Sequence, residues 1–458
     1  MQKRVGIAGF GIVGKSVLRF FLNQSNAISN TILSVWDWRE LNPEEQALFD
    51  QAGAYFVSGD LEQLFSDNDM VIPSPGIDLR PYTKFHEKIV CELDLFSENF
   101  LKKTVAITGT LGKTTITHML NDVLPGRTAI AGNVGHPMLD LIAKQDALDV
   151  AILELSSFQT DHSKIFAPDV AILTNFYPNH LDRHLTVEAY FDAKWRLFAN
   201  QTDGQKALFS SGLFFSEQRE LFQDNLSCYR GDYSVVCNDP VPESLLQNRF
   251  LQDKTIYFFD QWACGVCCKA QVINAQLVNK IELCDLSRHI KNGFAQNWLF
   301  VVGALDLLGA GFPRGLGVCG VVNHRLELFT TINGIDFYND SKATVLQATE
   351  AAVSRLVANG RSMIVIVGGL GKGVDRTGLV RFLEQESLVK KVFYLGAGCQ
   401  EFGCYESYTS LDDLVRAIMQ TALPGDQVLF SPSGASFDLF KSFEDRGNLF
   451  KDAVEKWG

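Results

Sequence analysis

Positive charge is in short supply in this chain. Its 41 lysines and arginines face 53 aspartates and glutamates, a formal charge of −12. A field of that sign argues against nucleic acid or an anionic membrane as the main partner, and anionic substrates would need local basic sites to hold them. Long apolar runs are missing too: no segment reaches the length that crosses a bilayer. Zinc-type spacing is incomplete. Cys264-Gly-Val-Cys267-Cys268 has neither a second Cys-x-x-Cys nor a His-x-x-x-His to supply four ligands, so no metal is expected there. The ten cysteines are otherwise scattered. Met1 to Ala8 reads briefly like a signal peptide, but Gly9, Gly11 and Gly14 break it and no small-residue cleavage site follows. Reduced thiols and a cytoplasmic location are therefore expected. There is no low-complexity tract and no disorder signature. A chain of 458 residues is too long for one core, which suggests about three domains.

What the sequence does have is a phosphate-cradle pattern. Val105-Ala106-Ile107 runs into Thr108-Gly109-Thr110-Leu111-Gly112-Lys113-Thr114-Thr115, and an apolar helical pattern from Ile116 to Leu120 leaves it. Strand, glycine turn and helix start let backbone N–H groups close on an anion. The Lys113 ammonium can bridge two phosphates, and the Thr114 hydroxyl can ligate a Mg²⁺ held by them. The loop is shorter than the general P-loop. It runs Gly-x-x-Gly-Lys-Thr, with Ile107 where an earlier glycine is usual, so an ordinary strand–helix turn is the competing reading.

The first segment, 1–92, has a buried strand from Lys3 to Ala8, then Gly9-Phe10-Gly11-Ile12-Val13-Gly14 and a helix. A second strand ends at Asp37-Trp38-Arg39, and Met70-Val71-Ile72 ends in Pro73-Ser74-Pro75-Gly76. Asp37 falls about 20 residues after the last glycine, near where a dinucleotide fold places its ribose carboxylate. A parallel sheet with tight, ligand-free turns is the plainer alternative. In the central segment, 93–321, Gly132-Asn133-Val134-Gly135 is followed by a strand ending at Glu154, a position suited to a Mg²⁺ ligand. Leu155-Ser156-Ser157-Phe158-Gln159 comes next, and another strand leads to Asn179-His180-Leu181-Asp182-Arg183-His184. Residues 203–285 alternate apolar runs with polar turns and stay unassigned. In the last segment, 322–458, strand-like runs end in polar or glycine-rich loops: Asn339-Asp340-Ser341-Lys342-Ala343-Thr344, Gly368 to Gly373, Gly396-Ala397-Gly398, and Ser431 to Asp438. Helical patterns between them make βαβ units. Simple turn chemistry does not explain Asp340, Lys342 and Lys372 in such loops. The expected fold is α/β: Rossmann-like N- and C-terminal domains flanking a P-loop ATPase-like, mostly parallel central sheet.

The order and spacing of the phosphate loop, Gly-Asn-Val-Gly, Glu-Leu-Ser-Ser-Phe-Gln and Asn-His-Leu-Asp-Arg-His resemble the Mur ligases. These are the ATP-dependent amide-forming enzymes of bacterial cell-wall precursor synthesis. Asn-Asp-Ser-Lys-Ala-Thr with Ser-Pro-Ser-Gly-Ala-Ser-Phe-Asp-Leu-Phe-Lys-Ser-Phe-Glu-Asp-Arg-Gly is similar to the branch that adds D-glutamate to UDP-N-acetylmuramoyl-L-alanine. The resemblance implies a division of roles. ATP would be held by Gly109, Thr110, Gly112, Lys113, Thr114, Thr115, Asn297, His324, Arg325 and Asp340. The UDP substrate would meet Gly11, Ile12, Val13, Gly14, Asp37, Arg39, Ser74, Gly76, Asn133, Ser156 and Gln159. D-Glutamate would meet Thr344, Lys372, Ser436, Phe437 and Phe443. Two Mg²⁺ sites are implied, one on Thr114 and Glu154, the other on His180 and a carbamylated Lys194. Lys113, His180 and Lys194 would carry catalysis, the C-terminal domain would close over the nucleotide, and the enzyme would act as a monomer. Without the resemblance, Lys194 in Tyr190-Phe-Asp-Ala-Lys194-Trp-Arg reads as a solvent-facing helical lysine. The chain departs from the family pattern at Leu111, Asn179, Phe294 and Val345. The rival from another class is a nicotinamide-dependent dehydrogenase built on Gly9 to Gly14 and Asp37; a nearer rival is a Mur ligase with another amino-acid specificity.

Overall fold

Runs that are apolar at every position, such as Val150 to Leu153, lose both faces to the core only inside a parallel sheet covered by helices. In this chain all four of those side chains are buried. A computed structural model describes residues 2–23, 31–57, 59–237, 241–260, 266–286, 295–312, 323–403 and 407–458. The described strands form three sheets. In the first, β1 (Lys3–Ala8), β2 (Thr31–Trp36), β3 (Tyr55–Val57) and β4 (Met70–Pro73) run parallel in the order β3-β2-β1-β4.

The second sheet holds β5 (Lys103–Thr108), β6 (Thr128–Gly132), β7 (Val150–Glu154), β8 (Val170–Leu173), β9 (Lys206–Ser210), β10 (Asp232–Cys237), β11 (Thr255–Phe259), β12 (Val266–Ile273) and β13 (Gln276–Asp285). Their order is β13-β12-β11-β10-β9-β8-β5-β7-β6, parallel except for the β11–β12 and β12–β13 pairs. The unassigned stretch 203–285 is thus the far half of this sheet. It closes on a two-residue hairpin, Asn274-Ala275, with both residues at positive φ (50° and 59°), as a tight hairpin turn requires. Helices Lys113–Val123 and Ala295–Leu307 send Ile116, Leu120, Leu299 and Val302 into one core with Val105, Ile107, Ile152 and Ile172. The third sheet, β14 (Glu327–Ile332), β15 (Ile335–Asn339), β16 (Met363–Gly368), β17 (Val389–Leu395) and β18 (Gln427–Phe430), has the order β14-β15-β18-β16-β17 and is parallel apart from β14. Among the described residues no helix is long and apolar enough to cross a membrane.

By contact the chain forms two units. Residues 1–176 with 188–319 carry the first two sheets; 177–187 with 320–458 carry the third. The short segment 177–187, which lies inside the expected central domain, is tied to the second unit by Leu181 N and Asp182 N, both donating to Lys372 O at 3.1 and 3.4 Å. Within the first unit, Asp140 joins the two sheets by accepting from Ser16 Oγ at 2.7 Å and Arg19 Nη2 at 2.8 Å.

Glu92 opens helix Glu92–Asn99 and is buried beside Met138 N, which donates to it at 3.2 Å. Burial pushes its carboxyl up to about 7. A raised carboxyl supports folding below its ordinary pKa, and that support is lost as the pH climbs through the folded value. At pH 8 the buried charge costs the folded state up to about 3 kcal/mol. Glu92→Gln is therefore expected to raise Tm at pH 8, with the gain shrinking steadily towards pH 5. A gain that stayed constant across that range in thermal melts would mean the carboxyl does not titrate there.

Candidate active site

The phosphate-loop pattern sits at the C-terminal end of β5, and its shape is imposed by the neighbouring strand β8. Thr174 Oγ1 donates to Leu111 O at 2.6 Å, Asn175 Nδ2 donates to the same oxygen at 3.1 Å, and Leu111 N donates to Asn175 Oδ1 at 2.8 Å. Gly109 has φ 138°, and a Cβ on it would lie 2.0 Å from Thr174 Oγ1. Only glycine fits this position. Gly112, at φ 86°, precedes helix Lys113–Val123, and the place a Cβ would take there is 3.2 Å from Asn297 Oδ1. Asn297 is thus beside the loop. Phe294 lies outside the described residues. Leu111, a departure from the family pattern, contributes its main chain to the clamp. Thr174 and Asn175, which hold the loop's main chain, were not among the expected site residues; a Thr-Asn pair ending an apolar strand beside a glycine loop was the available signal.

Two lysines converge on one oxygen of this loop. Lys113 Nζ donates to Gly109 O at 2.9 Å and to Thr110 O at 3.1 Å; Lys194 Nζ donates to Gly109 O at 3.0 Å. Lys194 is 2% exposed, on helix Val187–Ala199. The reading of it as a solvent-facing lysine is wrong. Its helix turns an aromatic face inward, with Tyr190, Phe191 and Trp195 buried beside it, so the lysine stem shares the buried side. Burial, then the nearby Lys113 charge, holds its amine well below the usual lysine range, while Glu154 pulls the other way.

Glu154 ends β7 and is 1% exposed. Asn133 Nδ2 donates to its Oε1 at 2.9 Å; its Oε2 is buried with no hydrogen-bond partner among the described residues. A buried carboxylate oxygen without a donor is costly unless a cation completes it. One carboxylate and a threonine hydroxyl suit Mg²⁺, which keeps few protein ligands and takes the rest from phosphates and water. Among the described residues no group of three or more His, Cys, Asp or Glu side chains is placed to hold an ion alone. Ser156 and Gln159 form the capping box of helix Ser157–Thr160 and hold each other at the same strand end.

The loops at the ends of β1, β2 and β4 gather Gly11, Ile12, Val13, Gly14, Asp37, Arg39, Ser74 and Gly76. A Cβ on Gly14 would sit 2.0 Å from Gly9 O, so helix and turn touch directly. Asp37 accepts from Phe10 N at 2.6 Å and Arg39 N at 3.2 Å, which ties it to the glycine turn. Arg39 makes a two-pronged bond to buried Glu45, at 2.7 Å for each oxygen, and Lys15 adds a third contact at 2.7 Å. These bonds hold the Glu45 carboxyl well below the usual carboxylate range. Between Asp37 and Arg39, Trp38 is 85% exposed and Ile12 nearby is 75% exposed. Glu45 was not foreseen, because a capping-box glutamate reads as a helix start.

In the second unit, His180 and Lys372 both have left-handed backbones, with φ 56° and 54°, and the Lys372 carbonyl accepts from Leu181 N and Asp182 N, the two residues after His180. Asn179 Oδ1 accepts from His180 N at 3.0 Å. His324 is buried, its Nδ1 is 2.9 Å from Asn339 Nδ2, and its ring packs edge-on to Phe443. Asp340 accepts from Ser431 Oγ at 2.8 Å and Leu326 N at 3.0 Å; burial pushes its carboxyl up to about 6. Arg325 and Thr344 flank this group, with Val345 capping helix Leu346–Val357. Ser436 is buried in the loop after β18, whereas Phe437 is 72% exposed.

Residues 107–213 match the Mur ligase middle domain, and residues 3–87 match the MurD-like N-terminal domain of Mur ligases. The chain is 31% identical to the UDP-N-acetylmuramoylalanine–D-glutamate ligase of Chloroherpeton thalassium, over 99% of this chain and 96% of that one. It is 30% identical to the enzyme of the same name from Idiomarina loihiensis, over 99% and 96%. Its fold is shared with a crystal structure of MurF ligase from Thermotoga maritima in complex with ADP, at TM-score 0.55 and 14% identity, covering 100% of this chain and 95% of that one. With matches of this length around a clamped phosphate loop and a buried lysine, the chain belongs to the Mur ligases, in the family of the UDP-N-acetylmuramoylalanine–D-glutamate ligases.

Proposed function

We propose that this protein is an ATP-dependent, ADP-forming ligase that adds D-glutamate to UDP-N-acetylmuramoyl-L-alanine, working as a monomer in the cytoplasm on cell-wall precursors. The observation that carries the reading is the convergence of Lys113 and Lys194 on Gly109 O beside the open oxygen of Glu154. The activity named for the full-length relatives supports the substrate pair. The three sheets suggest three domains, 1–92 for the UDP substrate, 93–321 for ATP and 322–458 for the amino acid.

A carboxylate oxygen is a poor leaving group, so amide formation needs activation. In the proposed route the alanyl carboxylate attacks the γ-phosphorus of ATP, ADP leaves, and an acyl phosphate forms. The D-glutamate amine then attacks the acyl carbon and phosphate departs. The loop N–H groups and Lys113 would orient the phosphates and offset the charge that develops on the transferring group. Lys113 would have to swing from Gly109 O and Thr110 O towards phosphate oxygens. Thr114 and Glu154 would hold one Mg²⁺, which supplies positive charge to the phosphates when bound. Lys194 is suited to capture CO₂ because only a neutral amine does so, and burial beside Lys113 favours neutrality. The resulting carbamate, an anion, would offer a ligand to a second Mg²⁺. His324, Arg325 and Asp340 are assigned to the nucleotide, and Thr344, Lys372, Ser436, Phe437 and Phe443 to D-glutamate. Binding the UDP part on the first sheet would hold the carboxylate for reaction. A dehydrogenase reading leaves the two lysines and Glu154 without a task.

An amino-acid panel in a phosphate-release assay, with UDP-N-acetylmuramoyl-L-alanine and ATP present, is expected to show turnover with D-glutamate. Release that ignores D-glutamate, or NADH-dependent absorbance change instead, would overturn the assignment. Lys194→Ala is expected to lower kcat about 100-fold or more, on the scale of damage to the surroundings of a metal site, and to regain part of it with millimolar acetate or propionate. Normal activity of the variant would show that Lys194 only fills space.

A further inference from the structure

Arg376 is 1% exposed, in a chain where few charged side chains are buried so completely. It belongs to none of the motifs that pointed to function. Its guanidinium donates to main-chain carbonyls from three separate loops. Nη1 reaches Gly368 O at 2.9 Å and Ser433 O at 3.4 Å; Nη2 reaches Gly369 O at 2.7 Å and Gly398 O at 3.0 Å. Nη2 also pairs with Glu401 Oε2 at 2.6 Å, and the group lies over the Phe402 ring, 4.0 Å from its centroid. These are the loops that follow β16, β17 and β18.

The glycines around it make room for this group. A Cβ on Gly371 would lie 2.9 Å from Arg376 Nε, one on Gly398 would lie 2.9 Å from Nη2, and one on Gly434 would lie 2.6 Å from Nη1. Glu401 Oε2, Gly369 O and Gly368 O lie closer still to the three places, so these loops pack too tightly around the clasp for any side chain.

The loop from Gly368 to Arg376 starts and ends on this contact. Its first two carbonyls accept from the side chain of its last residue, so Arg376 closes the loop on itself. Lys372 lies at the tip, at φ 54°. A non-glycine residue in that region is disfavoured, and it persists only where its surroundings enforce it. The neighbours Gly368, Gly369, Gly371 and Gly373 supply little stiffness of their own. Stiffness comes from the clasp, and from Leu370 and Ala435, which exchange N–H···O bonds at 2.9 and 2.8 Å next to Ser436.

We infer that Arg376 is the positioning residue of the amino-acid subsite: by tying the Gly368–Arg376 loop to Gly398 and Ser433, it holds in place the main chain that carries Lys372 and, through the Leu370–Ala435 bonds, the main chain that carries Ser436. The inference rests on the proposed D-glutamate role of those two residues. Arg376 touches no reacting atom. Its effect runs through the loops, and it would act on the affinity for the amino acid without altering affinity for the two other substrates.

The test is steady-state kinetics on the full-length enzyme with each substrate varied in turn, alongside thermal melts. Three variants are used: Arg376→Met, Arg376→Lys and Glu401→Gln. Glu401 is half-exposed, so its variant keeps the fold even where loss of Arg376 does not. Arg376→Met is expected to raise KM for D-glutamate about tenfold or more, with KM for ATP and for the UDP substrate within about twofold of wild type, the pattern of binding weakened at one subsite alone. Arg376→Lys, which restores a cation with three donors, is expected to recover part of the loss. Glu401→Gln is expected to move the D-glutamate KM the same way by about threefold. Unchanged D-glutamate KM in Glu401→Gln and Arg376→Lys, or equal rises for all three substrates, would reduce Arg376 to a stabilising residue. Wild-type enzyme that shows no D-glutamate-dependent phosphate release would sink the functional reading and this inference with it. D-glutamate dependence with a flat KM would sink the inference alone.

Discussion

The carbonyl oxygen of Gly109 accepts from two lysines, and much of the candidate site follows from that one crowded contact. Two full positive charges within hydrogen-bond reach of one oxygen repel each other strongly wherever water is excluded. The repulsion is relieved where burial is deepest. Lys194, on a helix whose inward face is aromatic, gives up its proton more readily, and Lys113 lies at the start of the helix that follows the loop. The oxygen can sit there only because Gly109 adopts φ 138° against Thr174, and Thr174 can press that close only because β5 and β8 are adjacent strands. Sheet order, a missing side chain and a shifted amine are links in one chain of cause.

Much of the architecture was legible in the sequence, because period and punctuation are local. Fully apolar runs ended by glycine or polar loops located β1, β5, β7, β8, β16 and β18, and the glycine pattern located both phosphate-type turns. What resisted was settled by distant partners. The 203–285 stretch reads as strands only once β9 finds β8, and its hairpin turns on Asn274-Ala275, where an alanine at positive φ hides the usual signal. The placement of 177–187 depends on a carbonyl at Lys372, nearly two hundred residues away in sequence, which no local pattern announces. In the candidate site, the motif residues were visible and their supports were not. Thr174 and Asn175 offered only a weak signal at a strand end, and Glu45 and Arg376, which act through main-chain atoms or other charges, carry no recognisable spacing.

Glycines in this chain do two different jobs at strand ends. Gly109 and Gly14 let main chain approach main chain or a hydroxyl. Gly398 and Gly434 do the same against Gly369 O and Gly368 O, and together with Gly371 they also leave space for a buried guanidinium. The second use is expensive, because a charged group taken out of water must find a full set of acceptors. Four carbonyls and a carboxylate serve the two Nη groups here, and the loops they belong to lose freedom together, while Nε is left without a partner among the described residues. A glycine-rich loop is commonly read as flexible; this one is stiff, since its glycines admit a clasp.

The turn at the end of β2 puts the indole of Trp38 almost wholly into water while Asp37 and Arg39, on either side, are bonded down. In optical terms this gives one indole a wetter setting than the buried Trp195 and Trp298. Trp195 and Trp298 are buried in apolar cores and emit at short wavelength, whereas a solvated indole relaxes its surroundings and emits at the red edge. Trp38, beside the glycine turn of the first sheet, contributes at that edge together with Trp457, which is also exposed. The Trp38 share of that emission is therefore a label-free gauge of how wet that turn is.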